Sequence, residues 1–341
     1  MPDAAEYKRY YLRDVARLAG VSVATVSRVL NAPSRVAPET RTRVQVAMSE
    51  LRFMPSAAAR AINSGRTRMV AALLPTLDNS IYARVVDGLE SGVASYGLSL
   101  MVAQTAGDPE TEYTRARQLI DIGAEGLVVV GLTHSPALLS IVEHLRMPIL
   151  AVSCFDRTSP IPTIGYDNAQ AAEQAAYHLL DLGHQRIAVV HGPLENNDRF
   201  KARRYALERL SAPSEFTFFE TDLTLEGGCK ATQRVLATHG GVTAILCFSD
   251  VIAMGVMSEI RRQGGRVPED VSVLGMEDLP SSAALFPALT SVRLQVRKMG
   301  ELAADALSDW VENGVEPQPV LLASTLIARA STTPVKAVPP T

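Results

Sequence analysis

The sequence predicts two unlike parts: a small all-α module at the N-terminus and a larger α/β body folded as two lobes. Three observations carry this. From 12 to 51 the apolar residues recur at helical spacing. From 69 onward short apolar runs alternate with amphipathic helical stretches, the rhythm of parallel strands covered on both faces. The charge divides at the same point. Residues 1–68 hold 12 Lys/Arg against 5 Asp/Glu, a net of +7, and the rest holds 21 against 31, a net of −10. A basic module on an acidic body is the electrostatic footprint of a tethered nucleic-acid binder.

Residues 1–10 read as a disordered tail and 11–54 as the helical module. Val15, Leu18 and Ala19 share a face of the first helix; Val26, Val29 and Leu30 do so in the second, and Val44, Ala47, Met48 and Leu51 in the third. Gly20 relieves the turn between the first two helices, and Ser22 can cap the second. Pro38 and Glu39 suit the first turn of the third. Residues 55–68 follow as a hinge and linker. Its helix-favouring centre is too short to be stable alone, so it is expected to fold only on a partner.

The body spans 69–330, longer than one compact doubly wound domain. Expected strands are 70–74, 98–103, 127–130, 149–152, 187–190, 216–219, 244–248 and 271–274. Helical patterns at 83–96, 112–122, 168–182, 226–238 and 251–263 lie between them. Residues 331–341 read as a tail.

Several function classes are excluded. No apolar run approaches the ~20 residues that span a bilayer, and the polar start carries no secretory pattern, so a cytoplasmic location is expected. Cys154, Cys229 and Cys247 are odd in number and widely spaced, which fits reduced, buried thiols. The six histidines, at 134, 144, 178, 184, 191 and 239, lack metal spacing. No phosphate loop, dinucleotide fingerprint, zinc-protease motif or nucleophile elbow is present. No enzyme, metal or cofactor is expected.

The second helix of the module, after its tight turn, has the chemistry of a major-groove reader. Val23 and Ala24 suit thymine methyl groups; Ser27 and Arg28 can hydrogen-bond to base edges, Arg most often to guanine. Ser22 sits at the helix start, and Thr25, Asn31 and Arg35 can hold phosphates, which set register without reading sequence.

From Leu12 to Gly65 the chain resembles the headpiece and hinge of the LacI/GalR family, and the resemblance continues to about 330. It is carried by LRDVARLAGVSVATVSRVLN at 12–31, LLPTLDNSIYARVVDGLE at 73–90, DLGHQRIAVVHGPLE at 181–195, FSDVIAMGVMSEIRRQGGRVPEDVSVLGMED at 248–278 and PALTSVRLQ at 287–295. The resemblance implies an all-α helix-turn-helix headpiece and an α/β periplasmic-binding-protein-like core of two Rossmann-like lobes. The N-lobe would take about 69–165 plus 293–318, and the C-lobe about 166–292 plus 319–330. It implies a homodimer on double-stranded palindromic operator DNA, acting as a repressor. Its hinge would lie in the minor groove with Ser56 and Ala59 against DNA and Ile62 as the wedge. Leu is commoner than Ile at that place.

The resemblance also implies a small-molecule effector, a sugar or sugar acid, held between the lobes by Ile81, Tyr82, Asp156, Arg203, Leu223, Asp250 and Glu277. Carboxylates and a guanidinium fork would satisfy hydroxyls while an apolar wall covers a ring. Leu223 stands where sugar-binding members often carry an aromatic, and Glu277 where Asp is usual. Asn196 and Asp198 replace a basic and a neutral residue of the purine-sensing member, which argues against a purine. His134 resembles the gluconate-responsive branch but reads as a solvated loop residue. The alternative, a small-molecule binding protein with no DNA role, conflicts with the basic module.

Overall fold

The computed structural model describes residues 10–54, 61, 64–210, 215–238 and 241–335 of the 341. Most of the expected tails, and Ser56, Ala59 and Ile62 of the hinge, lie outside the described residues. The chain divides into two units at Arg68.

In the first unit α1 (Leu12–Ala19), α2 (Val23–Asn31) and α3 (Pro38–Glu50) enclose a core of Val15, Ala16, Ala19, Val26, Val29, Val44 and Ala47. Leu18 departs from the expected face: it is exposed, and Ala16 is buried instead. Gly20 takes φ +63, the left-handed conformation that ends α1 and lets the chain turn into α2 within three residues. Pro33–Arg35 form a 3-10 turn before α3.

The second unit holds two six-stranded sheets. The first has the order β11-β5-β4-β3-β1-β2, where β1 is Met69–Leu74, β2 Ser99–Gln104, β3 Ala124–Val130, β4 Ile149–Val152, β5 Thr163–Gly165 and β11 Val320–Leu321. The second has the order β12-β10-β9-β8-β6-β7, with β6 Arg186–His191, β7 Glu215–Glu220, β8 Ala244–Cys247, β9 Ser272–Glu277, β10 Thr290–Arg293 and β12 Thr325–Ile327. All pairings are parallel except β10 with β12. The central strands are buried on both faces, which is why they read as unbroken apolar runs rather than alternating ones. The two sheets share one strand order, a kinship not visible in the sequence.

The first sheet carries α4 (Ser80–Ser95), α5 (Pro109–Ile122), α6 (Pro136–Leu145) and α12 (Val296–Asn313); the second carries α7 (Asn168–Asp181), α8 (Asp198–Glu208), α9 (Leu225–Thr238), α10 (Asp250–Arg262) and the short α11 (Pro280–Ala284). The chain crosses between lobes after β5, β10 and β11. The boundaries expected at 293 and 319 need correction. Arg293 pairs with Glu277 inside the second sheet. Val320 and Leu321 pair with Ile164 and Gly165 in the first, so the last crossing falls at 322–324. Strands of two or three residues, such as β5, β11 and β12, carry too little periodicity to be placed from sequence.

Candidate nucleic-acid interface and ligand cleft

In the first unit Ser22 caps α2: its Oγ accepts from the Thr25 amide at 3.1 Å and lies 2.9 Å from Thr25 Oγ1. Val26 and Val29 point into the core, which turns Val23, Ala24 and Arg28 outward together. Ser27 is half-buried beside them. Asn31 ends α2, and Arg35 is exposed on the 3-10 turn. Arg28 and Arg35 make no ion pair among the described residues. Three other cations are occupied. Arg17 pairs with Asp14 at 2.5 Å, and Arg13 lies over the Tyr11 ring. Arg43 donates to the carbonyls of Ala19, at 2.6 Å, and Gly20, at 3.1 Å. It caps the end of α1, a role that a count of basic residues cannot show.

In the second unit the segments after β3 and β6 bring the two lobes into contact at their strand ends, the place where open α/β sheets hold ligands. Asn79 caps α4 through its Oδ1, which accepts from the Ile81 amide. Ile81 and Tyr82 follow on the first turn, both buried. The Tyr82 phenol contacts the Arg199 guanidinium, and burial pushes its pKa up. Arg199 sits on α8 one turn before Arg203. It pairs with Asp198 at 2.9 Å and donates to the Val130 carbonyl of the other lobe at 3.2 Å. Asp198 accepts from the Leu132 amide at 3.1 Å. Gly131, at φ +78, lies under this pair; a Cβ there would collide with both side chains. Between Val130, Thr133, Glu112, Asn196 and Arg199 a void of about 20 Å³ remains, room for one water.

Arg203 is 3% exposed. Its Nε donates to Asn168 Oδ1 at 3.0 Å and its Nη1 to the Phe248 carbonyl at 2.7 Å, above the Phe200 ring. Asn168 in turn donates to the Ser153 carbonyl of the first lobe. Burial pulls the Arg203 guanidinium below its ordinary pKa. Glu277, fully enclosed at the end of β9, accepts from Ser249 Oγ at 3.1 Å. Burial raises its carboxyl to about 8, with Asp250 adding to the rise and Arg203 opposing it. Leu223 packs against Gly192 at the second lobe's wall.

Two expected ligand residues are turned elsewhere. Asp250 is wholly buried: Oδ1 accepts from Ser291 Oγ at 2.6 Å, and Oδ2 from the Leu279 amide at 2.8 Å and Ser282 Oγ at 2.6 Å. Those bonds tie α10 to the segment after β9 and to β10, and they enclose the carboxylate. Asp156 folds into its own turn, with Oδ1 accepting from the Thr158 amide and hydroxyl, which holds its pKa low. His134 is not solvated either. Its side chain is buried, with Nδ1 2.7 Å from Glu112 Oε2 and Nε2 3.0 Å from the Gly131 carbonyl. Sequence reasoning missed Arg199, although its place four residues before Arg203 put both on one helix face.

The three cysteines are free, and burial raises the Cys154 thiol to about 12. Among the described residues no three His, Cys, Asp or Glu side chains are grouped to hold a metal ion. No described helix is long and apolar enough to cross a membrane.

The family model described as bacterial regulatory proteins, lacI family, matches residues 11–56. That of periplasmic binding proteins and sugar binding domain of LacI family matches 67–330. The transcriptional repressor PurR of Klebsiella pneumoniae (strain 342) is 29% identical over 94% of this chain and 96% of its own length. The repressor CytR of Escherichia coli (strain K12) is 30% identical with the same coverage. The lac repressor dimer solved with operator and the anti-inducer ONPF superposes with a TM-score of 0.84 at 27% identity, covering 96% of this chain and 100% of that one.

Proposed function

This chain belongs to the lacI family of bacterial regulatory proteins and is a DNA-binding transcriptional regulator, and from that premise we propose that it is a homodimeric repressor of palindromic operators, released or recruited by a small-molecule effector. The observation that carries the DNA half is the outward face of α2. Val23, Ala24 and Arg28 stand exposed, Arg28 with no ion pair among the described residues, on a unit with a net charge of +7. They read base edges with Ser27, while Ser22, Thr25, Asn31 and Arg35 set register on phosphates. Ser56, Ala59 and Ile62 contact the minor groove by family likeness alone. The dimer and operator are carried over from the lac repressor structure.

The effector half rests on the cleft. We assign its lining to Ile81, Tyr82, Arg203, Leu223 and Glu277, with Arg199 beside them, while Asp250 serves the fold behind it and Asp156 is taken up by its own turn. The effector class is a sugar or sugar acid. Its coupling to DNA is a differential affinity for two arrangements of the lobes. The chain works as a regulator in the cytoplasm, without catalysis of its own.

Selection of bound duplexes from a random pool tests the reading. An inverted repeat with two half-sites is expected. An asymmetric or featureless result would overturn it, and ligand binding without any DNA binding would make the chain a small-molecule binding protein.

A further inference from the structure

A cavity of about 440 Å³ lies in the second unit where the chain crosses between lobes after β10. Its cations come from both lobes. Arg84 is on α4, and Arg297 and Lys298 are in the first turn of α12. Arg293 ends β10, and Arg329 follows β12. Leu279, Pro280 and Leu294 give it an apolar wall. None of these belongs to the effector lining assigned above, and Arg84, two residues past Tyr82, lies on the far side of α4 from it.

The charges there do not balance. Among the described residues Asp278 is the only carboxylate that lines the cavity, and it pairs with Arg293 and Arg329, each at 2.7 Å. Asp87 and Glu301 stand outside and take Arg297 and Lys298. Arg84 makes no ion pair among the described residues; its Nη1 reaches the Asp278 carbonyl at 3.5 Å. Five cations thus meet three carboxylates, an excess of two positive charges. The start of α12 adds to the excess. A helix N-terminus is itself positive and favours Asp or Glu, yet this first turn carries two cations and no acid. The side chain of the N-cap residue, Gln295, turns away to the Ala323 carbonyl at 3.0 Å and caps nothing. A local conflict of this kind costs stability and is the mark of a site kept for binding.

We propose that this cavity is a second small-molecule site, separate from the effector cleft, and that it takes an organic phosphate. The phosphate group meets Arg84, Arg297 and Lys298 at the start of α12, and the carbon body rests on Leu279, Pro280 and Leu294. A phosphate monoester carries about −1.5 to −2 at pH 7, which matches the excess, whereas a single carboxylate brings half of it. Its oxygens accept from several guanidinium groups at once. The volume lies within the range of about 300–1,000 Å³ that small molecules occupy. Because the cations belong to both lobes, a bound phosphate links them and favours one arrangement, which is how it would bear on DNA.

Thermal unfolding of the full-length protein at neutral pH and fixed ionic strength tests this. The probes are D-glucose 6-phosphate, inorganic phosphate, D-glucose and sodium acetate, each at about 10 mM. A Tm rise of about 2–4 °C is expected with glucose 6-phosphate, a smaller one with inorganic phosphate, and none with glucose or acetate. The double variant Arg84→Gln/Lys298→Gln should lose at least three quarters of the rise. Without phosphate it should melt no lower than the parent, because it sheds like-charge crowding and breaks one exposed ion pair. No rise with either phosphate, an equal rise with acetate, a rise kept in the double variant, or a free double variant that melts well below the parent overturns the proposal. Inorganic phosphate acting as strongly as the ester upholds the anion site and overturns the role of the apolar wall. Gel shifts on operator with the same probes read the coupling. Phosphates that stabilise the protein but leave operator affinity unchanged uphold the site and overturn its bearing on DNA.

Discussion

The Asp198 carboxylate, carried by the second lobe, accepts a hydrogen bond at 3.1 Å from the Leu132 amide of the first. With Arg199 reaching the Val130 carbonyl beside it, the start of α8 ties the lobes together over Gly131. Charge-assisted bonds of this kind contribute about 1.5–3 kcal/mol. Asp198→Ala should therefore favour separated lobes. The check is hydrogen exchange at the Leu132 amide, expected to quicken at least tenfold; an unchanged rate would mean that the contact does not hold the lobes.

Arg28 and Arg43 are both basic residues of the helical unit, yet their substitutions should differ. Arg28→Ala should leave the unit folded and lose about 1–3 kcal/mol of discrimination at one base position in each half-site. Arg43→Ala strips the cap from α1 and should destabilise the unit by about 1–2 kcal/mol. Its DNA binding should then fall for specific and random duplexes alike. Circular dichroism melts of both variants, beside binding to operator and scrambled duplexes, separate the two outcomes.

Asp250→Ala should damage the fold rather than ligand binding alone. It leaves the Leu279 amide and the hydroxyls of Ser282 and Ser291 without their acceptor in a sealed interior. A loss of about 3–5 kcal/mol is expected. Urea unfolding measures it, and a variant as stable as the parent would return Asp250 to the ligand side of the cleft.

Glu277 predicts a pH dependence. Its folded value, about 8, lies above the ordinary 4.5 because burial disfavours the carboxylate. Between these values the folded chain keeps a proton that the unfolded chain has lost. Stability from this group therefore falls as pH rises, by up to about 1.4 kcal/mol per unit, and levels off above about 8. Glu277→Gln removes the effect. Its stability relative to the parent should climb from pH 5 to 8 and then stay flat in urea titrations; a constant difference across that range would show that Glu277 is ionised throughout.

Local pattern alone marked out the helical unit, the alternation of strands and helices from 69 onward, and the exposed face of α2, because periodicity reports which side of an element is buried. The same pattern showed where charge accumulates. It could not place β5, β11 and β12, which are two or three residues long, and so it misjudged the last crossing between lobes. Nor could it say what a polar side chain touches. Asp250 meets Ser291, 41 residues on, and Arg203 meets Phe248, 45 residues on. Arg43, 24 residues from Ala19, caps a helix rather than facing DNA. Which carboxylates are left for a ligand, and that Arg199 and Asp198 bridge the lobes, was decided by tertiary structure, because a hydrogen bond is satisfied by groups that only the folded chain brings within 3 Å.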